Sequence, residues 1–187
     1  MTKWVLTLSC PDRPGIVAAV AGALATLQGN ITESQQFGDA DSGLFFMRVE
    51  VEADVDRAII ESALTAVGNE FAMEWKLDVV GRPVRTVVMV STASHCLHDL
   101  AYQQRSGRLP IDVVAVVSNH TALKGIADFY GLPFHHVPVT RDTKAEAEAE
   151  LLRIVAETDA ELVVLARYMQ ILSDDLCREL SGQIINI

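Results

Sequence analysis

The sequence predicts an α/β protein of two modules. A ferredoxin-like βαββαβ unit spans residues 1–82, and the N-terminal part of a doubly wound parallel sheet spans 83–187. Three observations carry this reading. Strand-like segments before residue 80 alternate apolar and polar residues, as half-buried strands do. Gly81-Arg82-Pro83 then interrupts the pattern and serves as the linker. Beyond it the strand candidates VRTVVMVS (84–91), IDVVAVVS (111–118) and ELVVL (161–165) are almost continuously apolar. Such runs suit strands covered on both faces of a parallel sheet.

Taken in order, Lys3–Ser9 alternates and is rich in β-formers, so it reads as a strand. Pro11-Asp12-Arg13-Pro14-Gly15 is a turn. From Ile16, apolar residues recur at Val17, Val20, Ala21, Leu24 and Leu27, which is one helical face, and Gly29-Asn30 supplies the stop. Ile31–Phe37 and Leu44–Val51 form a hairpin around the turn-rich Asp39–Gly43. Asp54 caps a second helix that runs through Val67, and Met73–Val80 closes the unit as a strand. In the second module, helices are expected at about 95–106, 121–130 and 144–157, and a short strand at Phe134–Val137. Asp174–Leu180 reads as a further helix and Gln183–Ile187 as a strand. The AEAEAE run at 145–150 reads as an exposed helix face without a function of its own.

Composition narrows the function classes. A net charge of −10 argues against nucleic acid as the main partner, because such binders carry a basic patch. No segment approaches the run of ~20 apolar residues of a membrane span, and the N-terminus lacks a signal peptide's apolar core. Cys10, Cys96 and Cys177 are odd in number and match no zinc spacing, so reduced thiols in a cytoplasmic protein are expected. His95, Cys96 and His98 lie close together but lack further ligands, and no metal site is expected. His135 and His136 follow a short strand; one of them could reach a site at the sheet edge, or both are hydrogen-bonded loop residues.

The first motif is the turn Asp12-Arg13-Pro14-Gly15-Ile16. Asp12 is a plausible helix cap, Pro14 suits a helix start, and Gly15 permits close approach of a backbone or ligand. Helix N-terminal amides can receive a carboxylate. By local chemistry alone the segment is equally a well-made strand–helix turn. CPDRPGIVAAVAGAL in βαββαβ order resembles the ACT domain, which commonly pairs with itself and binds small amino acids at the pair interface. The resemblance implies regulation or oligomerisation: a homo-oligomer, dimer or tetramer, with a possible amino-acid effector at Asp12–Ile16. Arg13 either contributes there or only orients the turn.

The second motif, LARYMQILS at 165–173, follows a buried strand and therefore lies at the carboxyl edge of the sheet, where open α/β sheets bind ligands. Met169, Ile171 and Leu172 could line a flat slot, and Arg167 either pairs with a carboxylate or covers the sheet edge. Asn186, in IINI, ends another buried strand fourteen positions after Leu172. LARYMQILS plus IINI is similar to the formyltransferase fold of the folate enzymes. Joined to an ACT-like unit, the whole chain resembles the formyltetrahydrofolate deformylases, and PIDVVAVVSNH at 110–120 and PFHHVPVTRDTKAEAE at 133–148 share the likeness.

That resemblance implies that Arg167, Tyr168, Met169, Gln170, Ile171 and Leu172 bind the pterin of a folate substrate and that the Asn186 carboxamide donates to the formyl oxygen. It implies a histidine just past Ile187 and a later aspartate, so this stretch alone is expected to be inactive. The implied reaction is hydrolysis of 10-formyltetrahydrofolate to formate and tetrahydrofolate, supplying one-carbon and purine metabolism, without cofactor. The loop Ser91-Thr92-Ala93-Ser94-His95-Cys96 has no glycine to let a backbone cradle a phosphate. That favours water as formyl acceptor over a phosphorylated amine. The alternatives are a folate-dependent formyltransferase acting on an amine, and an amino-acid-binding or oligomerising protein without catalysis.

Overall fold

The computed structural model describes residues 1–187. The chain divides into two compact units, Met1–Arg82 and Pro83–Ile187. No helix is long and apolar enough to cross a membrane.

The first unit runs β1 (Thr2–Pro11), α1 (Ile16–Thr26), β2 (Asn30–Asp39), β3 (Leu44–Ala53), α2 (Arg57–Phe71) and β4 (Glu74–Val79). The strands form one sheet in the order β2-β3-β1-β4, with antiparallel pairing throughout. This is the expected split βαβ unit. Alternation along β1 sends Trp4, Leu6, Leu8 and Cys10 inward, where they meet Ile16, Val20 and Leu24 of α1 and Ile60 and Leu64 of α2. The opposite face carries an ion-pair network: Glu50, only 6% exposed, accepts from Lys3 at 2.7 Å and Arg48 at 2.5 Å. Both partners hold the Glu50 carboxyl below its ordinary range, and Lys3 is raised in return.

Several boundaries differ from the sequence reading for identifiable reasons. Helix α1 closes in a Schellman motif: Gln28 at φ 56 donates to Ala25, and Gly29 donates to Leu24. A Cβ on Gly29 would stand 2.9 Å from the Val51 side chain, so glycine is required by close approach. Helix α2 continues past Val67 to Phe71. Gly68 does not break it, because its bare Cα makes room for the Trp75 indole, which a Cβ would meet at 2.7 Å. Its N-cap is Asp56, not Asp54, and no side chain caps it. Asp54 instead lies 3.9 Å from the N-terminal amine.

The second unit runs β5 (Val84–Val90), α3 (His95–Arg105), β6 (Ile111–Ser118), α4 (Lys124–Tyr130), β7 (Phe134–His136), α5 (Lys144–Glu157), β8 (Leu162–Ala166), α6 (Asp174–Glu179) and β9 (Ile184–Asn186). Its sheet order is β7-β6-β5-β8-β9, parallel throughout. The apolar strands separate two cores. Val88, Val90, Val116 and Val164 pack under α3 and α4 with Leu97 and Ala127. Val87, Met89, Val117 and Val163 pack under α5 and α6 with Leu151, Ile154 and Leu176. Continuous apolarity is thus the signature of a sheet covered on both sides, as the sequence implied.

Candidate functional site

The site grows out of the strand order. From β5 the chain builds outward through β6 to β7, then returns to place β8 on the other flank of β5. The segments leaving β5 and β8 therefore turn to opposite faces, one into α3 and the other into α6. Loops that diverge in this way open a crevice at the carboxyl edge, the usual ligand position in open α/β sheets. Register fixes what meets there: Val90 lies beside Ser118 and Ala166, and Asn186 lies beside Leu165. Asn186 is exposed on the edge strand, anchored by the bond from the Ile187 amide to the Leu165 carbonyl at 3.1 Å. By alternation it projects to the same face as Ile184, which packs in the α5–α6 core.

The segment Arg167–Ser173 crosses the crevice on that face. Ala166, the last residue of β8, is fully buried. Arg167 follows at φ 57, a left-handed conformation that non-glycine residues adopt at a cost of roughly 1–2 kcal/mol. The turn throws Tyr168 and Leu172 inward against the α5–α6 core, while Met169 (69% exposed) and Ile171 (85% exposed) stand out from the edge. The sequence reading treated Met169, Ile171 and Leu172 as one slot wall. The structure divides them, with Leu172 in the core and the other two on the rim. A narrow groove lies between this loop and α5, lined among others by Met89, Leu151, Tyr168, Gln170, Ile171 and Leu172. Arg167 itself is exposed.

Glu148 of α5 was not anticipated. Both its carboxylate oxygens hold Ser173: one accepts from the Ser173 amide at 2.8 Å, the other from its hydroxyl at 2.5 Å. The same hydroxyl caps α6 by accepting from the Leu176 amide at 3.2 Å. Glu148 also lines the groove. Burial, and then the Glu148 charge, push the Tyr168 phenol up from its ordinary value. The AEAEAE run is therefore not uniformly a solvated face. Ala147, Leu151 and Ile154 form the buried stripe of α5, and Glu148 sits beside that stripe, where a carboxylate meets the loop. The i, i+4, i+7 spacing of the stripe was the available signal.

The histidines do not join this groove. His98 turns to Tyr130, with its Nδ1 at 3.4 Å from the phenol oxygen. His135 lies close enough to Glu150 of α5 to help lower its carboxyl, after the larger effect of Arg153. His136 lines a separate, shallow groove with Val137, Thr140 and Glu146. Ser91 opens the loop after β5 as a buried residue whose carbonyl accepts from the Ser118 hydroxyl at 3.4 Å.

In the first unit, Asp12 does not cap α1. The N-cap is Gly15 at φ 100, with no side-chain cap bond. The Asp12 amide instead donates to the Gly43 carbonyl at 2.9 Å, tying the turn to the β2–β3 hairpin. Arg13 donates to the Glu70 carbonyl and stacks over the Phe71 ring at 4.2 Å. Gly15 faces the same ring, and Ile16 is buried, while Pro14 is exposed. Orienting the turn is what Arg13 visibly does.

A split βαβ unit followed by an open parallel sheet whose loops after β5 and β8 diverge at its carboxyl edge defines a class: an ACT-type module joined to a formyltransferase-type α/β domain. Comparison with known proteins agrees on both halves. The chain belongs to the formyl transferase family: residues 84–187 match the formyl transferase domain model, and residues 4–69 match that of the ACT domain. The formyltetrahydrofolate deformylase of Corynebacterium sp. (strain P-1) is 46% identical over 99% of this chain, which spans 66% of that relative. The crystal structure of the formyltetrahydrofolate deformylase of Burkholderia mallei superposes with a TM-score of 0.95 at 39% identity, covering 100% of this chain and 66% of that one. The phosphoribosylglycinamide formyltransferase of Coxiella burnetii has a TM-score of 0.52 at 26% identity, covering 56% of this chain and 51% of that one. The chain thus spans just under two thirds of the length of the first two relatives.

Proposed function

We propose that this protein is the folate-binding and regulatory part of a 10-formyltetrahydrofolate hydrolase. The observation that carries the reading is the loop 167–173 poised over the groove at the switch point, in a chain similar to deformylases along its whole length. In this reading Tyr168, Gln170 and Leu172 border the pterin from the groove side. Met169 and Ile171 cover it from the rim, and Arg167 meets the acidic part of the folate. The Asn186 carboxamide donates to the formyl oxygen as negative charge develops there. Water adds to the formyl carbon, the C–N bond breaks, and the leaving nitrogen takes a proton, giving formate and tetrahydrofolate. This needs neither metal nor redox cofactor. Water is favoured as acceptor because the loop after β5 has no glycine and is tied to β6 through Ser118.

The first module is read as an assembly device that also takes a small amino acid near Asp12–Ile16. Support comes from β2, an edge strand of ten residues that is exposed almost throughout. On the open face Phe37 (63% exposed) lies across from Phe46 (39% exposed). Such an edge gains by pairing with a second copy. The unpaired cysteines Cys10, Cys96 and Cys177 suit the reducing cytoplasm. The test is formate release from 10-formyltetrahydrofolate with no amine present, by the protein at the length of its relatives. Formate and tetrahydrofolate formed one to one support the reading; turnover that requires an amine would replace it with formyl transfer.

A further inference from the structure

We infer that Glu148 is a positioning residue of the substrate loop: through Ser173 it sets the place and tension of 167–172, and so the affinity for the folate. The inference rests on the proposed function and extends it to a residue outside the loop.

Two anchors define the loop. At its start the chain leaves a fully buried strand and turns at once through the left-handed Arg167. At its end Ser173 is gripped by Glu148 from α5 through two bonds, at 2.8 and 2.5 Å. Between the anchors no backbone hydrogen bond ties residues 168–172 to the rest of the chain. What holds them is the inward packing of Tyr168 and Leu172 and the grip on Ser173. The grip comes from a helix seated in the core, since Leu151 and Ile154 of α5 are each 1% exposed.

The chemistry of the pair is specific. Bonds to a carboxylate are stronger than neutral ones, and a fork that takes an amide and a hydroxyl from one residue fixes direction as well as distance. Because the Ser173 hydroxyl also receives the Leu176 amide, the carboxylate, the loop end and the first turn of α6 form one connected unit. A shift of Glu148 would therefore move the loop and the helix start together. Glu148 also borders the groove beside Tyr168. One carboxylate thus holds the loop end and lines the groove beside it.

The experiment compares Glu148→Ala, Glu148→Gln and Ser173→Ala with the unaltered protein at the length of its relatives. Two readouts are used: steady-state formate release, and hydrogen exchange of the chain with no ligand. Glu148→Ala is expected to raise KM for 10-formyltetrahydrofolate about tenfold with kcat within about threefold, well short of the ~100-fold that a 1 Å misplacement at the reacting centre can cost. Glu148→Gln keeps a carbonyl oxygen for the Ser173 amide and should recover most of that loss. Ser173→Ala, which keeps the amide bond, should fall between. Exchange should rise at the amides of Ser173, Leu176 and Cys177 in Glu148→Ala but not over 162–166. An unchanged KM, a loss confined to kcat, or a Gln variant as impaired as the Ala variant would overturn the inference. If Glu148→Ala does not fold, Ser173→Ala decides it by the same KM criterion. If the unaltered protein releases no formate, the functional reading fails. The exchange arm still decides whether Glu148 holds the end of the loop: unchanged exchange at Ser173, Leu176 and Cys177 refutes it.

Discussion

The left-handed backbone at Arg167 yields a prediction that separates strain from side-chain chemistry. Arg167→Ala and Arg167→Gly both remove an exposed guanidinium, but only glycine relieves φ 57. An L-residue in this region costs roughly 1–2 kcal/mol. Glycine returns about 0.4–1 kcal/mol of that through the greater freedom of its unfolded chain. The net difference favours the glycine variant by roughly 0.5–1 kcal/mol. For a module of about 100 residues that is a melting temperature higher by roughly 4 °C. The assay must report on the second module. Both tryptophans, Trp4 and Trp75, lie in the first, so their fluorescence does not serve, and calorimetry resolves the transition instead. The glycine variant should also bind folate more weakly than the alanine variant, because the conformational freedom of 167–172 is then lost on binding rather than in folding. A glycine variant that melts at or below the alanine variant would refute the claim that strain is stored there.

Further outcomes concern the first module and its chemistry. The Glu50 carboxyl is held below its ordinary 4.5 by hydrogen bonds from Lys3 and Arg48, so its contribution is complete above that value and is lost as pH falls through its lower folded value; tryptophan-monitored unfolding should show this loss, and Glu50→Gln should remove that part of the dependence. Lys3, raised above 10.5 chiefly by its bond to Glu50, works in the opposite sense: its contribution is present below that value and fades as pH rises beyond it. Gly15→Ala forces a Cβ onto φ 100 and should destabilise the first module by about 1 kcal/mol, read by the same fluorescence; a neutral effect would mean that the turn relaxes freely. Light scattering should give a closed homo-oligomer at tens of micromolar, roughly ordinary assay concentrations, and a thermal-shift screen of amino acids should find one that stabilises it; a monomer would contradict the pairing of β2.

Much of the fold was legible in the sequence because burial leaves a period. The alternation of Trp4, Leu6 and Leu8 against Val5 and Thr7, and the unbroken VRTVVMV of β5, each report how many faces of a strand are covered. Helix ends were less legible. The second helix was read only through Val67, yet α2 continues across Gly68, whose bare Cα makes room for the Trp75 indole. Asp12 and Asp54 looked like caps, yet neither caps, because cap preference is a local rule and both carboxylates lie near tertiary partners. In the candidate site, position along the chain placed the 165–173 loop at the carboxyl edge, since every parallel strand ends there. What could not be read was which side chains of the loop turn inward. That is decided by the single left-handed residue Arg167, and no residue type there announces it. Glu148 was missed for a related reason: twenty-five residues separate it from Ser173, and only the packing of α5 brings them together.

The central claim is that the folate lies across the carboxyl edge between the 167–173 loop and Asn186. Hydrogen exchange with and without a folate analogue whose formyl group cannot be hydrolysed tests it most directly. The account predicts slowed exchange at 167–173 and at 184–187, with little change at 12–16. Protection confined to 12–16 or to the loop 91–96, with 167–173 unaffected at saturating analogue, would contradict it.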